Sequence, residues 1–249
     1  MFEKLRALFK SEKELSPELK QRIEQLEKVI ETPIDNPHIY VQALRHRSTL
    51  VDDNFGHTDS YERLEFLGDA VLDLIVTEII FDLFPNKDEG FLTKLRAKLV
   101  KGDTLAMFAR KLALNKLLLL ADQVRGQGIE NSKSILADVF EALIGAMYLD
   151  GGYKAVSGFV RKIIDRYIDF DKVTTSLDNY KSLLLEFAQA RRMEIPTYGL
   201  VSEKGPGHDK TFEVEVYVDQ NPVARGIGKS KKEAEQKAAH KAYTILQNN

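Results

Sequence analysis

Four carboxylates, Glu62, Glu65, Asp69 and Asp73, fall within ERLEFLGDAVLDLIV, residues 62–76, a stretch that otherwise reads as protein core. On a helix turning about 100° per residue they share an arc of about 80°, with Leu64, Leu67, Val71, Leu74 and Ile75 on the opposite side. An acidic stripe on an ordinary amphipathic helix is a solvated face. Here the following turns, LIVTEIIF, place Val76 and Ile80 on the azimuth of the acids and are apolar nearly all round. That pattern predicts burial beyond the acids and puts the acids at the mouth of a core. Carboxylates crowded there repel one another and lose hydration, and a cation is needed to offset their charge.

A second stretch, SILADVFEALIGAMYL, carries Asp138 and Glu141 at i and i+3 on one helical face, continued by Ala142 and Gly145, small enough for another helix to approach closely. Two helices crossing there would gather Glu65, Asp69, Asp138 and Glu141 as four oxygen donors. An all-oxygen set without nitrogen or sulfur suits Mg²⁺, or Mn²⁺, with positions left for water and a phosphate. A di-iron bundle would need Glu-x-x-His on its helices, and the sequence has none there. The chemistry that follows is phosphodiester hydrolysis, in which metal ions activate water and stabilise the departing 3′ oxygen.

These helices must be positioned by a larger frame. The chain has 249 residues, 43% hydrophobic and 30% charged, enough for two modest domains. It has no cysteine, which excludes disulfides and thiolate metal sites. The N-terminal MFEKLRALFKSEKEL mixes charge into its apolar residues, and no run reaches the roughly 18 apolar residues of a membrane span. The expectation is a soluble, cytoplasmic protein with no membrane partner. Net charge is −2, and splitting at Thr175 leaves 25 Lys+Arg against 28 Asp+Glu before it and 11 against 10 after it. Any basic surface therefore comes from local clustering.

Residues 1 to about 165 read as helical, with three- and four-residue apolar spacing through QRIEQLEKVI, FLTKLRAKLVKGDTLAMFARKL and SILADVFEALIGAMYL, and breaks expected at TPIDNP, FPNKDEG, VRGQG and LDGG. IDFDKVTTSLDN is the linker candidate. Beyond it, a helix from Asn179 to Arg191, strands TYGLVS, TFEVEVYV and PVARGIG, and a last helix KKEAEQKAAHKAYTIL describe a small α+β domain. Ser230 and Glu233 form a capping box at the start of the last helix, placing Lys229, Lys231 and Lys232 beside N–H groups that favour phosphate.

The residues resemble the ribonuclease III family. Its signature is close to N-E-R-L-E-F-L-G-D-[SA]-V-L, and this chain reads YERLEFLGDAVL from Tyr61 to Leu72. ALRHRS (43–48), DEG followed by LT (88–93), ILADVFEALIGA (135–146) and the αβββα module follow in the family's order, from about residue 24 to the end. The resemblance implies an all-α nuclease domain followed by an α+β double-stranded-RNA-binding domain. It divides the chain into an N-terminal extension (1–20), a catalytic domain (21–165), a linker (166–177) and the RNA-binding domain (178–249). It implies that Glu65, Asp69, Asp138 and Glu141 bind the metal, with Asp69 and above all Glu141 catalytic, and that Glu62 and Glu89 support them in the RNA cleft. It further implies a homodimer in which Phe66 inserts into a partner pocket and each of two sites cuts one strand. The products would carry 5′-phosphates, 3′-hydroxyls and a short 3′ overhang, in the processing of rRNA and mRNA precursors.

In the C-terminal module the same resemblance places Lys181, Ser182, Glu186 and Gln189 in one minor groove and His208 in the next, with Lys229, Lys231 and Lys232 on the phosphates between. Two positions depart from the family pattern. Tyr61 replaces a usual Asn, and Leu185 replaces a polar residue, often Gln, which removes one minor-groove hydrogen bond while leaving phosphate affinity. His46 in LRHRS is read as structural, because the metal scheme needs no imidazole. The competing readings are a catalytically silent RNA-binding scaffold, which would be expected to have lost some of the four acids, and a nucleotide phosphohydrolase, which leaves the C-terminal module without a purpose.

Overall fold

Ser16 starts the first helix by accepting the Leu19 N–H on its Oγ at 3.3 Å, with Pro17 at the position where a missing N–H costs nothing. This helix, α1 (Pro17–Ile30), buries Ile23, Leu26 and Ile30 and ends at Glu31 in the left-handed region, φ 53°. The computed structural model describes residues 14–51, 56, 58–175, 180–206 and 210–247. Most of the expected N-terminal extension and the side of the RNA-binding loop that carries His208 lie outside these residues. The chain divides into two units, Met1–Asp169 and Phe170–Asn249.

In the first unit α1 is followed by α2 (Pro37–Ala43), a 3₁₀ turn (Arg47–Val51), α3 (Glu62–Leu83), α4 (Glu89–Leu99), α5 (Gly102–Lys111) and α6 (Lys133–Tyr167). The apolar run FLTKLRAKLVKGDTLAMFARKL forms two helices, α4 and α5. Val100 caps the first, and Thr104 Oγ1 donates to the Lys98 carbonyl across the junction at 2.9 Å. LDGG, expected as a break, interrupts α6: at Gly152 (φ 73°, ψ −177°) the backbone leaves helical geometry, and α6 is two helical segments joined at that kink. That φ is open to glycine at little cost.

The core of this unit is the packing of α3 on α6, its most extensive pairing of helices, with α5 and α2 laid against α6. Leu64, Val71, Leu72, Ile75, Val76, Ile79 and Ile80 of α3 meet a series on α6 that runs from Leu136 to Ile164, all buried. Asp150 of α6, buried at 4% exposure, accepts the Asp35 and Asn36 N–H groups, each at 3.0 Å. It thus caps α2 across more than a hundred residues of chain.

The second unit holds α7 (Phe170–Thr175), α8 (Tyr180–Ala190), β1 (Thr197–Lys204), β2 (Thr211–Val218), β3 (Asn221–Gly228) and α9 (Lys231–Gln247). The sheet is antiparallel in the order β1-β2-β3, with bulges at Val201 and near Tyr217. Val214, Val216 and Val218 alternate inward beneath the helices. Ala234, Ala238, Ala239 and Ala242 of α9, all fully buried, bring that helix onto β3. A Cβ at Gly226 would sit 2.2 Å from the Ala234 carbonyl, so strand and helix touch backbone to backbone there.

Candidate functional site

Two glycines decide where the acids meet. Gly68 lies between Glu65 and Asp69 on α3, and a Cβ built on it would stand 1.7 Å from the Glu141 carbonyl oxygen. Gly145, one turn beyond Glu141 on α6, answers it: a Cβ there would stand 2.2 Å from the Leu64 carbonyl. The helices cross at contact distance between their backbones, which only the absence of both side chains permits. The short crossing brings one carboxylate oxygen each from Glu65, Asp138 and Glu141 within 4.8 Å of one another.

Asp69 is exposed on the next turn of α3 and stands outside that triad, but its charge is the strongest electrostatic influence on Glu141 and also acts on Glu65. Asp73, half-buried, contributes to Glu141 as well. Burial, then Asp138, Glu62 and Asp69, push the Glu65 carboxyl up to about 7. Burial, then the charges of Asp69, Glu65, Asp138 and Asp73, push Glu141 up to about 8. Asp138 is raised by burial and by Glu62, against a backbone hydrogen bond that lowers it. The leading influences on all three are thus burial and other carboxylates, the signature of a site built for a cation. Three half-buried carboxylates with no nitrogen or sulfur donor fit a hard divalent ion.

Glu62 is exposed in the first turn of α3, where Ser60 Oγ reaches its Oε2 at 3.4 Å. Glu89 is exposed at the start of α4 and accepts the Thr93 hydroxyl at 2.7 Å; it is not among the charges acting on the triad. Tyr61, to which the sequence assigned no role, is buried at 5% exposure beside the acids. Burial and the charges of Asp138, Glu65 and Glu62 hold its hydroxyl well above the usual range, so it stays protonated. The His46 ring packs against it, centroids 6.0 Å apart, and accepts the Ser48 N–H on Nδ1 at 3.1 Å. Burial lowers the His46 pKa, so this imidazole is held neutral in a packing role.

The turns of α3 beyond the acids are not buried all round. Ile75, Val76, Ile79 and Ile80 are, but Leu74 is 52% exposed and Phe81 67%. With Phe66, 83% exposed, they form a stripe at i, i+8 and i+15 on one side of the helix. The sequence pattern carries no mark that separates this stripe from the core.

In the second unit Ser230 Oγ accepts the Glu233 N–H at 3.2 Å, and Glu233 reaches back to the N–H of Lys229, one residue before the cap, at 2.8 Å. Lys229, Lys231 and Lys232 are exposed around this helix start. On α8, Glu186 and Gln189 are exposed, Ser182 and Leu185 half-buried. The Lys181 ammonium lies 2.7 Å from Glu235 Oε2.

A family profile described as Ribonuclease-III-like matches residues 36–167, and one described as Double-stranded RNA binding motif matches residues 180–246. The chain belongs to the ribonuclease III family. A Staphylococcus saprophyticus protein named Ribonuclease 3 is 40% identical over 236 residues, covering 95% of this chain and 96% of that protein. Its namesake from Chlorobaculum tepidum is 43% identical over 214 residues, covering 85% and 79%. Among solved structures, the nuclease domain of ribonuclease III from Campylobacter jejuni superposes with a TM-score of 0.53 at 37% identity, covering 58% of this chain and 96% of that one. A ribonuclease III nuclease domain joined to a double-stranded-RNA-binding domain makes this chain an endonuclease of double-stranded RNA. No helix among the described residues is long and apolar enough to cross a membrane.

Proposed function

We propose that Glu65, Asp138 and Glu141, joined by Asp69, hold Mg²⁺, with Mn²⁺ able to substitute, and that this site hydrolyses the strands of duplex RNA. The observation that carries the reading is the triad itself: three carboxylates from two helices, packed within 4.8 Å at a glycine crossing and pushed toward protonation by burial and by neighbouring carboxylates. A divalent cation bound there supplies Lewis acidity to the attacking water and to the scissile phosphate. Glu141, the most buried and most perturbed of the set, fixes the cation relative to α6, and Asp69 at the solvent edge faces incoming substrate. Glu62 and Glu89 act as supporting groups at the substrate side.

The exposed stripe Phe66, Leu74 and Phe81 supports a homodimer through the nuclease domain. A phenylalanine 83% exposed near the start of α3, beside the acids, is suited to a pocket on the partner. A Campylobacter jejuni nuclease-domain structure is described as having a region involved in dimer formation, which agrees with this. With two sites per dimer, each cuts one strand, leaving 5′-phosphate and 3′-hydroxyl ends with a short 3′ overhang; the substrates proposed are duplex segments of rRNA and mRNA precursors in the cytoplasm. Ser182, Glu186 and Gln189 with His208 read the minor grooves, and Lys229, Lys231 and Lys232 hold the intervening phosphates.

The test is a gel assay of the full chain on duplex RNA, single-stranded RNA and duplex DNA, each with Mg²⁺ or EDTA. Cleavage confined to duplex RNA with Mg²⁺ is expected, and cleavage in EDTA would refute the metal assignment. Glu141→Gln should abolish cleavage while leaving duplex binding in Ca²⁺ intact; wild-type cutting by this variant removes Glu141 from the site.

A further inference from the structure

Lys181 stands at the start of the helix proposed to enter the minor groove, yet its side chain is directed to the other side. At about 100° per residue it lies about 60° from Leu184 and about 20° from Ala188, both fully buried, and roughly 80° to 140° from Ser182, Gln189 and Glu186. Its ammonium forms an ion pair with Glu235 of α9 at 2.7 Å, the two side chains only 35% and 28% exposed. The same ammonium sits 4.3 Å above the ring centroid of Tyr198 on β1. The Lys181 backbone N–H donates to Gln236 Oε1 at 3.2 Å. Beside it, the rings of Tyr180 and His240 stack with centroids 4.0 Å apart, closing the same seam between α8 and α9.

We propose that Lys181 is a positioning residue for RNA recognition: by pairing with Glu235 over Tyr198 it fixes the start of α8 against α9 and β1, and so sets the angle at which Ser182, Glu186 and Gln189 meet the minor groove. It is not a phosphate ligand. The proposal rests on the reading that this face of α8 contacts RNA. Two consequences are opposite in sign to those of a direct contact. Removing the negative charge of Glu235 brings the module closer to the preference of a polyanion for cations, and on electrostatics alone strengthens binding; if Glu235 anchors α8 through Lys181, its removal weakens binding. And a lysine that neutralises no phosphate does not enter the salt dependence.

The experiment measures binding of the full-length chain to a duplex RNA in Ca²⁺ at several salt concentrations, at a temperature where thermal melts show every variant folded. Lys181→Met and Glu235→Gln should each weaken binding about three- to tenfold, and the double variant should be no weaker than either alone, since both remove one interaction. The slope of log affinity against log salt should stay at the wild-type value. Tighter binding by Glu235→Gln, or a slope reduced by about 0.7 to 0.9 in Lys181→Met, makes Lys181 a phosphate ligand and overturns the proposal. Lower melting temperatures with unchanged affinity leave the pair a purely structural contact and overturn it as well. Glu186→Ala combined with Gln189→Ala tests the underlying reading separately: wild-type affinity in that variant removes this face of α8 from the RNA contact, and the proposal with it.

Discussion

Gly68→Ala is the most direct perturbation of the crossing that builds the site. The added Cβ would lie 1.7 Å from the Glu141 carbonyl oxygen and 2.9 Å from the Gly145 nitrogen, whereas Cβ contacts below 3.0 Å essentially do not occur. Both obstructing atoms are backbone, so no rotamer change relieves the clash, and α3 and α6 must separate by more than 1 Å at Glu141. Alanine gains roughly 1 kcal/mol of helix propensity over glycine, while overpacking of a fixed interface costs about 1–3 kcal/mol, and the rigidity of two backbones puts this case at the top of that range or beyond. A net loss of about 2 kcal/mol is expected. The effect on activity is larger in proportion, because the residue that must move carries the carboxylate; a displacement of about 1 Å at a catalytic centre costs on the order of a hundredfold. Gly158→Ala is the control: it is an exposed helical glycine on the same α6, with nothing within 4 Å of an added Cβ, and should raise stability by about 0.5–1 kcal/mol. The assays are thermal melts in EDTA and turnover of duplex RNA at saturating substrate with Mg²⁺. Gly68→Ala that melts no lower than Gly158→Ala and keeps kcat within about twofold of wild type would refute the account of the crossing.

The metal-free enzyme should lose stability as pH rises. Glu65 and Glu141 bind protons in the fold up to about 7 and about 8, while in the unfolded chain they release them near 4.5, so their contribution is full below 4.5 and lost as pH passes through 7 to 8. Because the groups are partly solvated and share their protons, the loss is about 1–2 kcal/mol; melts in EDTA from pH 5 to 8.5 should show wild type falling relative to Glu141→Gln, and parallel curves contradict the electrostatics. Added Mg²⁺ should raise the melting temperature of wild type more at pH 8 than at pH 5.5, since protons compete with the ion, and this pH difference should shrink in Glu141→Gln, where Glu65 still competes. Asp150→Ala removes the buried carboxylate that accepts the Asp35 and Asn36 N–H groups at a half-buried helix start and should cost about 2 kcal/mol; a loss under about 0.5 kcal/mol in denaturant titrations would show that water replaces the cap.

The sequence alone determined the elements and the donor chemistry. Helical spacing located α3 and α6 and put Asp138 and Glu141 on one face with Gly145, and period-two alternation marked β2 because Val214, Val216 and Val218 are buried in one core while Glu213, Glu215 and Tyr217, alternating with them, are only half-buried. These are local properties, fixed by backbone geometry and side-chain polarity. What lay beyond the sequence depends on which surfaces meet. Periodicity reports that a residue is apolar, not whether another segment covers it, so Leu74 and Phe81 read as core although α6 covers only one side of α3. Gly68 reads as any helical glycine until its backbone is seen against that of Glu141. Lys181 reads as one more cation of a basic module until Glu235, more than fifty residues later, is folded against it. Asp69 shares an azimuth with Glu65, but the crossing draws Glu65, Asp138 and Glu141 into the triad and leaves Asp69 exposed at its rim, because which side chains meet depends on where the second helix lies, and the azimuth on one helix does not carry that.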